Sequence, residues 1–342
     1  MNGIARMPAN QRAELFAETA NRMDLPEAVV EKDFWVCWVL KQLFSIEAFS
    51  GRLLFKGGTS LSKIFHAINR FSEDIDLAVD YAALGFTGAR DPRREGLSRT
   101  KQTKLLAEML GDCQRYIGSE FIREFQARCA VSLGADGNWS AVIDEHDPNI
   151  VRFHYPGAIA KRLAYIAPQV VLELGTHAEF IPRDEFSIRP FAAEEFPNLF
   201  TEPDVQVIAL LAKRTFWEKA TILHAQYHRA PAKSAQARYS RHYYDVAMLS
   251  ETPIKDQALA DPQLLRDDVR HKRTFYPAAW ARYDLATPGT LKLVPRGRPR
   301  GRPQTGLSRH GEDDLRRSAA FRKHRGKARH ARRRTADATV AG

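Results

Sequence analysis

The sequence predicts an α/β fold of the α+β kind, with helices ahead of a sheet and a helical domain behind it. Two observations lead there. Apolar residues recur at helical spacing before residue 48 and again after Pro203, and between these regions lie short runs of period two separated by Gly and polar breaks. In order, residues 1–48 are N-terminal helices, 49–200 a sheet-bearing core, 201–295 a helical domain, and 296–342 a basic low-complexity tail that is either disordered or frameshifted.

Asp24-Leu25-Pro26-Glu27 has the form of a capping box, and the apolar run Val30 to Phe44 follows it. Leu53-Leu54-Phe55 is a short buried strand that Gly57-Gly58 breaks. Thr59 or Ser60 then caps a helix whose face is Leu61, Ile64, Phe65 and Ile68, and Asn69 or Arg70 ends it. From Ser72 to Asp80 the period becomes two: Ile75, Leu77 and Val79 point one way, and Asp74, Asp76, Ala78 and Asp80 the other. Residues 81–103 are polar and rich in Arg and Gly, which predicts a loop. Lys104 to Arg128 is helical. Strands are expected at Ser140–Ile143, Asn149–Tyr155, Gln169–Leu174 and Phe186–Pro190. Helices are expected from Pro203 to about His228, Ser240 to Leu249 and Gln263 to Asp268.

The 342 residues carry a formal net charge of +11, but its location matters more than its size. From Arg296 to Gly342 there are 13 Arg and 2 Lys against 4 acidic residues, so the rest of the chain holds 37 charges of each sign. The isoelectric point therefore says nothing about the ligand of the body. No run of about 18 apolar residues predicts a membrane span. The N-terminus lacks the apolar core of a secretory signal. The 3 cysteines, Cys37, Cys113 and Cys129, show no zinc-ligand spacing and fit a reduced cytoplasm.

The chemistry concentrates within 20 residues. Asp74 and Asp76, two apart on a strand, project from one face with Cα atoms about 7 Å apart. Paired carboxylates at that spacing can bridge two Mg²⁺ ions about 4 Å apart, which activate an attacking hydroxyl and stabilise leaving pyrophosphate. Gly57-Gly58 lets the backbone approach a triphosphate, and the helix beginning near Thr59 and Ser60 offers amides to its oxygens. Glu173, an acid inside an apolar strand, is either a third metal ligand or a residue of an exposed sheet face or a salt bridge. Lys219 interrupts the stripe Ile208, Ala212, Phe216, Leu223, either snorkelling to solvent or reaching a triphosphate. Arg70 can bind phosphate, and Ser72, on the face of Asp74, can orient a carboxylate or a phosphate. Arg241 and Asp245 stand at i, i+4 and can pair with each other, and Arg241 is also a candidate for binding the nucleotide. No Walker loop, Rossmann fingerprint, nucleophile elbow or zincin motif competes.

Phe55-Lys56-Gly57-Gly58-Thr59-Ser60-Leu61-Ser62-Lys63 with Arg70-Phe71-Ser72-Glu73-Asp74-Ile75-Asp76-Leu77 resembles the AbiEii/AbiGii toxin family of nucleotidyltransferases. Glu31-Lys32-Asp33-Phe34-Trp35, Val171-Leu172-Glu173-Leu174, Phe216-Trp217-Glu218-Lys219-Ala220 and Ser240-Arg241-His242-Tyr243-Tyr244-Asp245 resemble further motifs of that family, so the likeness spans about residues 10–295. The resemblance implies a polymerase-beta-like nucleotidyltransferase core with a mixed sheet. It implies a bacterial, cytoplasmic toxin of a toxin–antitoxin or abortive-infection pair, partnered by a cognate antitoxin. It also implies transfer of a nucleotide from an NTP to RNA, with the 3′ end of tRNA as acceptor. By position, Asp74 and Asp76 would bind metal, Lys219 would contact the nucleotide, Asp245 would belong to the last active-site motif, and Ser72 would stand where a serine itself accepts phosphate.

After Pro295 the Arg-Gly-Arg-Pro tract departs from the family pattern. A frameshifted reading of a C-terminal helix accounts for so abrupt a change; a genuine RNA-binding arm is the other reading. Two further functions stay open beside the RNA reaction: transfer of a nucleotide or phosphate to a protein (or to the chain itself), and a binding module without catalysis.

Overall fold

A computed structural model of the chain describes residues 1–72, 74–135, 137–159, 167–229 and 239–294; the tail 296–342 lies outside them. Seven strands form one mixed sheet: β1 (Leu53–Lys56), β2 (Asp74–Val79), β3 (Ser140–Ile143), β4 (Ile150–His154), β5 (Gln169–Gly175), β6 (Arg183–Ile188) and β7 (Val205–Leu210). Their order is β3-β4-β5-β2-β1-β7-β6. β2 runs antiparallel to β1 and parallel to β5, and β1 runs parallel to β7.

The two faces of the sheet do different work. Leu53, Phe55, Ile75, Leu77, Val79, Phe153, Leu172 and Val207 point into the main core. The helices α1 (Asn2–Ala5), α2 (Ala9–Met23) and α3 (Glu27–Phe44) contribute to that core, as do α5 (Arg99–Tyr116) and α6 (Ile122–Leu133), which are joined through a π-helical segment, Ile117–Phe121. Within α3, Trp35 stacks on Tyr155 and Trp38 on Phe153, with ring centroids 5.2 and 5.4 Å apart. α3 is buried almost all round, so it reads as an apolar run and not as a stripe. The opposite face of β1 and β2 carries Leu54, Lys56, Asp74, Asp76 and Ala78. A second apolar cluster lies beyond it, built from α4 (Gly57–Lys63), α8 (Ala212–His228), α9 (Tyr239–Ser250), α10 (Pro253–Leu259) and α11 (Pro262–Phe275). A short helix α7 (Phe191–Glu195) follows β6.

Three local readings change. The span from Pro203 is not helical at its start: Val205-Gln206-Val207-Ile208-Ala209-Leu210 is strand β7, and α8 begins only at Ala212. The strand lies inside the sheet with apolar residues on both faces, so its alternation is masked and Ile208 falls by chance into the i, i+4 series of α8. Asp24 does not cap α3. It closes α2 in the left-handed conformation at φ 52°, and Pro26 takes the N-cap position. α4 ends at Lys63, well before Asn69, and starts at Gly57 with Lys56 as N-cap, so neither Thr59 nor Ser60 caps it.

The Glu31-Lys32-Asp33 triplet of α3 is buried and works as a staple. Glu31 accepts from Ala158 N, Lys32 donates to Ala167 O and Gln169 O, and Asp33 pairs with Lys63 at 2.7 Å. Asp33 also accepts from Phe191 N at 2.7 Å, so one carboxylate joins α3, α4 and α7. Cys37, Cys113 and Cys129 are buried free thiols, and burial pushes each of them up in pKa.

Candidate active site

The site grows from the Gly57-Gly58 turn. Gly57 adopts φ +79°, a left-handed conformation that favours glycine, and a Cβ there would stand 1.8 Å from Asp76 Oδ2. A Cβ on Gly58 would stand 2.6 Å from Arg70 Nη2 and 2.8 Å from Ser72 Oγ. The two glycines therefore do separate things: the first lets the backbone lie against the Asp76 carboxylate, the second leaves room for Arg70 and Ser72. Gly57→Ala is expected to displace Asp76, to lower transfer activity by about 10²-fold or more, and to cost about 1–3 kcal/mol of stability; turnover together with a denaturation curve checks it, and near-wild-type turnover would refute the close approach.

Thr59 and Ser60 are buried, and their hydroxyls turn to the backbone: Thr59 Oγ1 donates to Asp74 O at 2.5 Å and Ser60 Oγ to Gly57 O at 3.0 Å. Both brace the turn and the start of β2.

Register brings the third acid in. Lys56 of β1 stands opposite Asp76 of β2, and Asp76 stands opposite Glu173 of β5. Lys56, Asp76 and Glu173 thus form one row across three strands, with Asp74 two residues along the same face. Glu173 is exposed. Burial works against the Lys56 ammonium, but Asp76, Glu218, Tyr276 and Glu173 more than offset it and raise its pKa. Among the described residues no three His, Cys, Asp or Glu side chains converge into a metal-binding group. Asp74, Asp76 and Glu173 lie instead on one sheet face, an all-oxygen donor set that suits a hard divalent cation.

The helical half of the site closes on Asp245. Its carboxylate is fully buried and accepts Arg70 Nε at 2.9 Å, Arg70 Nη2 at 3.0 Å and Lys219 Nζ at 2.8 Å. Desolvation alone would raise its pKa; the hydrogen bonds and charges of Arg70 and Lys219 win and lower it. Lys219 therefore does not snorkel, and Asp245 pairs with Arg70 and Lys219 in place of Arg241. Arg241 is exposed on the first turn of α9, outside this network of described residues. The group carries one net positive charge and abuts the Gly58 turn through Arg70.

Three residues of this neighbourhood stand in the motifs read from the sequence but were given no role there: Lys56, Glu218 and His242. Glu218 lies one position before Lys219 on α8, about 100° around the helix from it. Burial opposes its ionisation, but Lys272, Lys56, Arg214 and His271 hold its pKa below the ordinary value. A charged residue ending an apolar strand, Lys56, and a second charge beside Lys219 were the available signals. His242 sits beside the Asp245 group with a buried Nδ1 that has no hydrogen-bond partner. Burial first, then the cations Lys219, Arg70 and Lys272, push it down to about 4, while Asp245 opposes them. The folded state thus holds His242 neutral where an unfolded chain titrates near 6.5. The unfolded state then binds more protons between these values, so stability is full above about 6.5 and falls as pH drops towards 4. Denaturation curves across that window are expected to fall more steeply in the wild type than in His242→Gln; equal slopes would show that the ring is protonated in the fold.

Sequence comparison decides the family. The profile described as "Nucleotidyl transferase AbiEii toxin, Type IV TA system" matches residues 38–333. The chain belongs to the AbiEii family. It is a nucleotidyltransferase toxin of a type IV toxin–antitoxin system, which gives it an NTP as substrate and an antitoxin as counterpart. The match starts after Glu31-Lys32-Asp33 and runs past Arg296, so most of the basic tail falls within it. Among solved structures, the chain is similar to MenT4, a nucleotidyltransferase toxin from Mycobacterium tuberculosis H37Rv, at 15% identity, with 92% of this chain and 97% of that chain covered and a TM-score of 0.39. None of the curated proteins matches significantly. Among the described residues no helix is long and apolar enough to cross a membrane.

Proposed function

We propose that this AbiEii toxin transfers a nucleotide from an NTP to the 3′ hydroxyl of an RNA, with tRNA as the acceptor, in a reaction that depends on Mg²⁺. The observation that carries the reading is the row of Asp76 and Glu173 with Asp74 on the same sheet face, pressed against the Gly57 turn. Asp74 and Asp76 would hold the metal pair, with Glu173 as a third oxygen donor. Magnesium bound there supplies activation of the attacking hydroxyl and neutralises charge on the leaving pyrophosphate.

The chain's own cations do the rest. Arg70 and Lys219, fixed by Asp245, offer net positive charge to the triphosphate from the Gly58 side. Because Asp245 already holds both, little reorganisation is needed when the anion arrives. Ser72 lies beside Gly58 and can donate its hydroxyl to a phosphate oxygen. Acting in the bacterial cytoplasm, such modification of tRNA would stop translation and so limit phage growth.

Incubation with total tRNA and each labelled NTP tests the reading. Label in RNA that requires added Mg²⁺ and is lost on chelation is the expected result. Label in protein, with none in RNA, would replace the acceptor; transfer that persists in chelator would remove the metal.

A further inference from the structure

The body of the chain has no net charge, yet its charges are not evenly spread. On α11, Arg266, Arg270 and Arg273 follow one another at i, i+4 and i+7, which places them on one face. All three are exposed, while Asp268, His271 and Lys272 on the other side of the helix are buried. These arginines line a groove of about 380 Å³ whose opposite wall is Gln102 of α5. Around Gln102, Arg99, Lys101 and Lys104 are also exposed. The acids within reach are few: Asp267 lies 3.5 Å from Arg270, Glu108 lies 3.9 Å from Lys104, and Asp284 feels the charge of Arg273.

The groove is linked to the carboxylate row by charge across the helix that forms it. On the inner side of α11, Lys272 helps hold Glu218 ionised, and the charge of Glu218 in turn acts on Lys56 in the row with Asp76. Tyr276, one turn beyond Arg273, donates to His177 O at 3.1 Å and adds to the field at Lys56. The groove thus lies on the outer side of a helix whose inner side packs on α8, the helix that carries Lys219. The three arginines span roughly 10 Å along the axis, enough for two or three successive phosphates. Lone anions do not need such a row; a phosphodiester strand does.

We infer that the α5–α11 groove binds the sugar–phosphate backbone of the acceptor RNA, away from its reacting 3′ end. The inference rests on the RNA reading above and names the surface that serves it. The arginines position the acceptor and touch neither the triphosphate nor the carboxylates, so they set acceptor affinity and leave NTP affinity alone.

The test uses the full chain and an unmodified tRNA transcript, with binding followed by fluorescence anisotropy across a salt series. The triple variant Arg266→Ala, Arg270→Ala, Arg273→Ala suits the fold, since alanine is a strong helix former at exposed positions. Its log–log salt slope is expected to be shallower by about 2, with affinity roughly tenfold lower at 0.1 M salt. The basic tail is the same in both chains, so the difference in slope counts the groove alone. In turnover, KM for tRNA should rise and KM for NTP should not. The single reversal Arg270→Glu should weaken binding more than Arg270→Ala. Unchanged slope and affinity in the triple variant would overturn the inference. If the wild type labels protein and not RNA, the reading of the reaction fails; the groove then stands or falls on the binding slope alone.

Discussion

Asp76→Ala is expected to lower nucleotide transfer by at least about 10³-fold, the equivalent of about 4 kcal/mol of transition-state stabilisation. Asp76 is the acid that most features of the site converge on. The backbone of Gly57 lies against its carboxylate, Lys56 stands opposite it in register on β1, and Glu173 stands opposite it on β5. In the proposed reaction a carboxylate so placed would be a ligand shared by both metal ions, and its loss would remove both halves of the site. Glu173→Ala should cost less, because Glu173 is exposed and stands at the rim of the row. Melting curves should show that both variants fold, since Asp76 lies on the sheet face opposite the main core. The measurement is incorporation of labelled NTP at saturating Mg²⁺. Turnover by Asp76→Ala within tenfold of wild type would remove the carboxylate row from the mechanism.

What the sequence made legible follows from distance along the chain. The Gly57-Gly58 turn, Asp74 and Asp76 lie within 20 residues, so order and period were enough to place them on one strand–turn–helix–strand unit. Strand β3 was read at its observed bounds, and β5 to within a residue, because both stand between clear breaks. β7 was lost since a strand buried on both faces shows no alternation. Lys56 escaped for a different reason. Its neighbours are Asp76 and Glu173 only through sheet register, which no local pattern encodes. Asp245 was visible as a member of a motif, but its partners were misjudged. The i, i+4 rule pointed to Arg241, whereas Arg70, 175 residues away, makes the bidentate contact. A zero sum of charge in the body likewise concealed the arginine face of α11, because composition adds what the fold separates.

Asp245 also gives the second large expectation. It is fully buried, and its two oxygens receive three hydrogen bonds from two cations. Asp245→Ala leaves Arg70 and Lys219 close together and partly desolvated, with the charge of Asp245 removed from both. Breaking a buried pair in this way costs about 3–5 kcal/mol, against about 1 kcal/mol for an exposed one. Both cations would then turn towards solvent, so affinity for the triphosphate should fall together with stability. Asp245→Asn keeps one acceptor oxygen but loses the charge, and should fall between wild type and alanine. Lys219→Ala separates the two effects: Asp245 keeps its bidentate Arg70, so stability should drop by less than in Asp245→Ala while KM for NTP still rises. Urea denaturation and NTP titration of the three variants decide the matter. If Asp245→Ala unfolds within 1 kcal/mol of wild type, the carboxylate is not the anchor of the two cations, and their positions must be set by the packing of α8 and α9 instead.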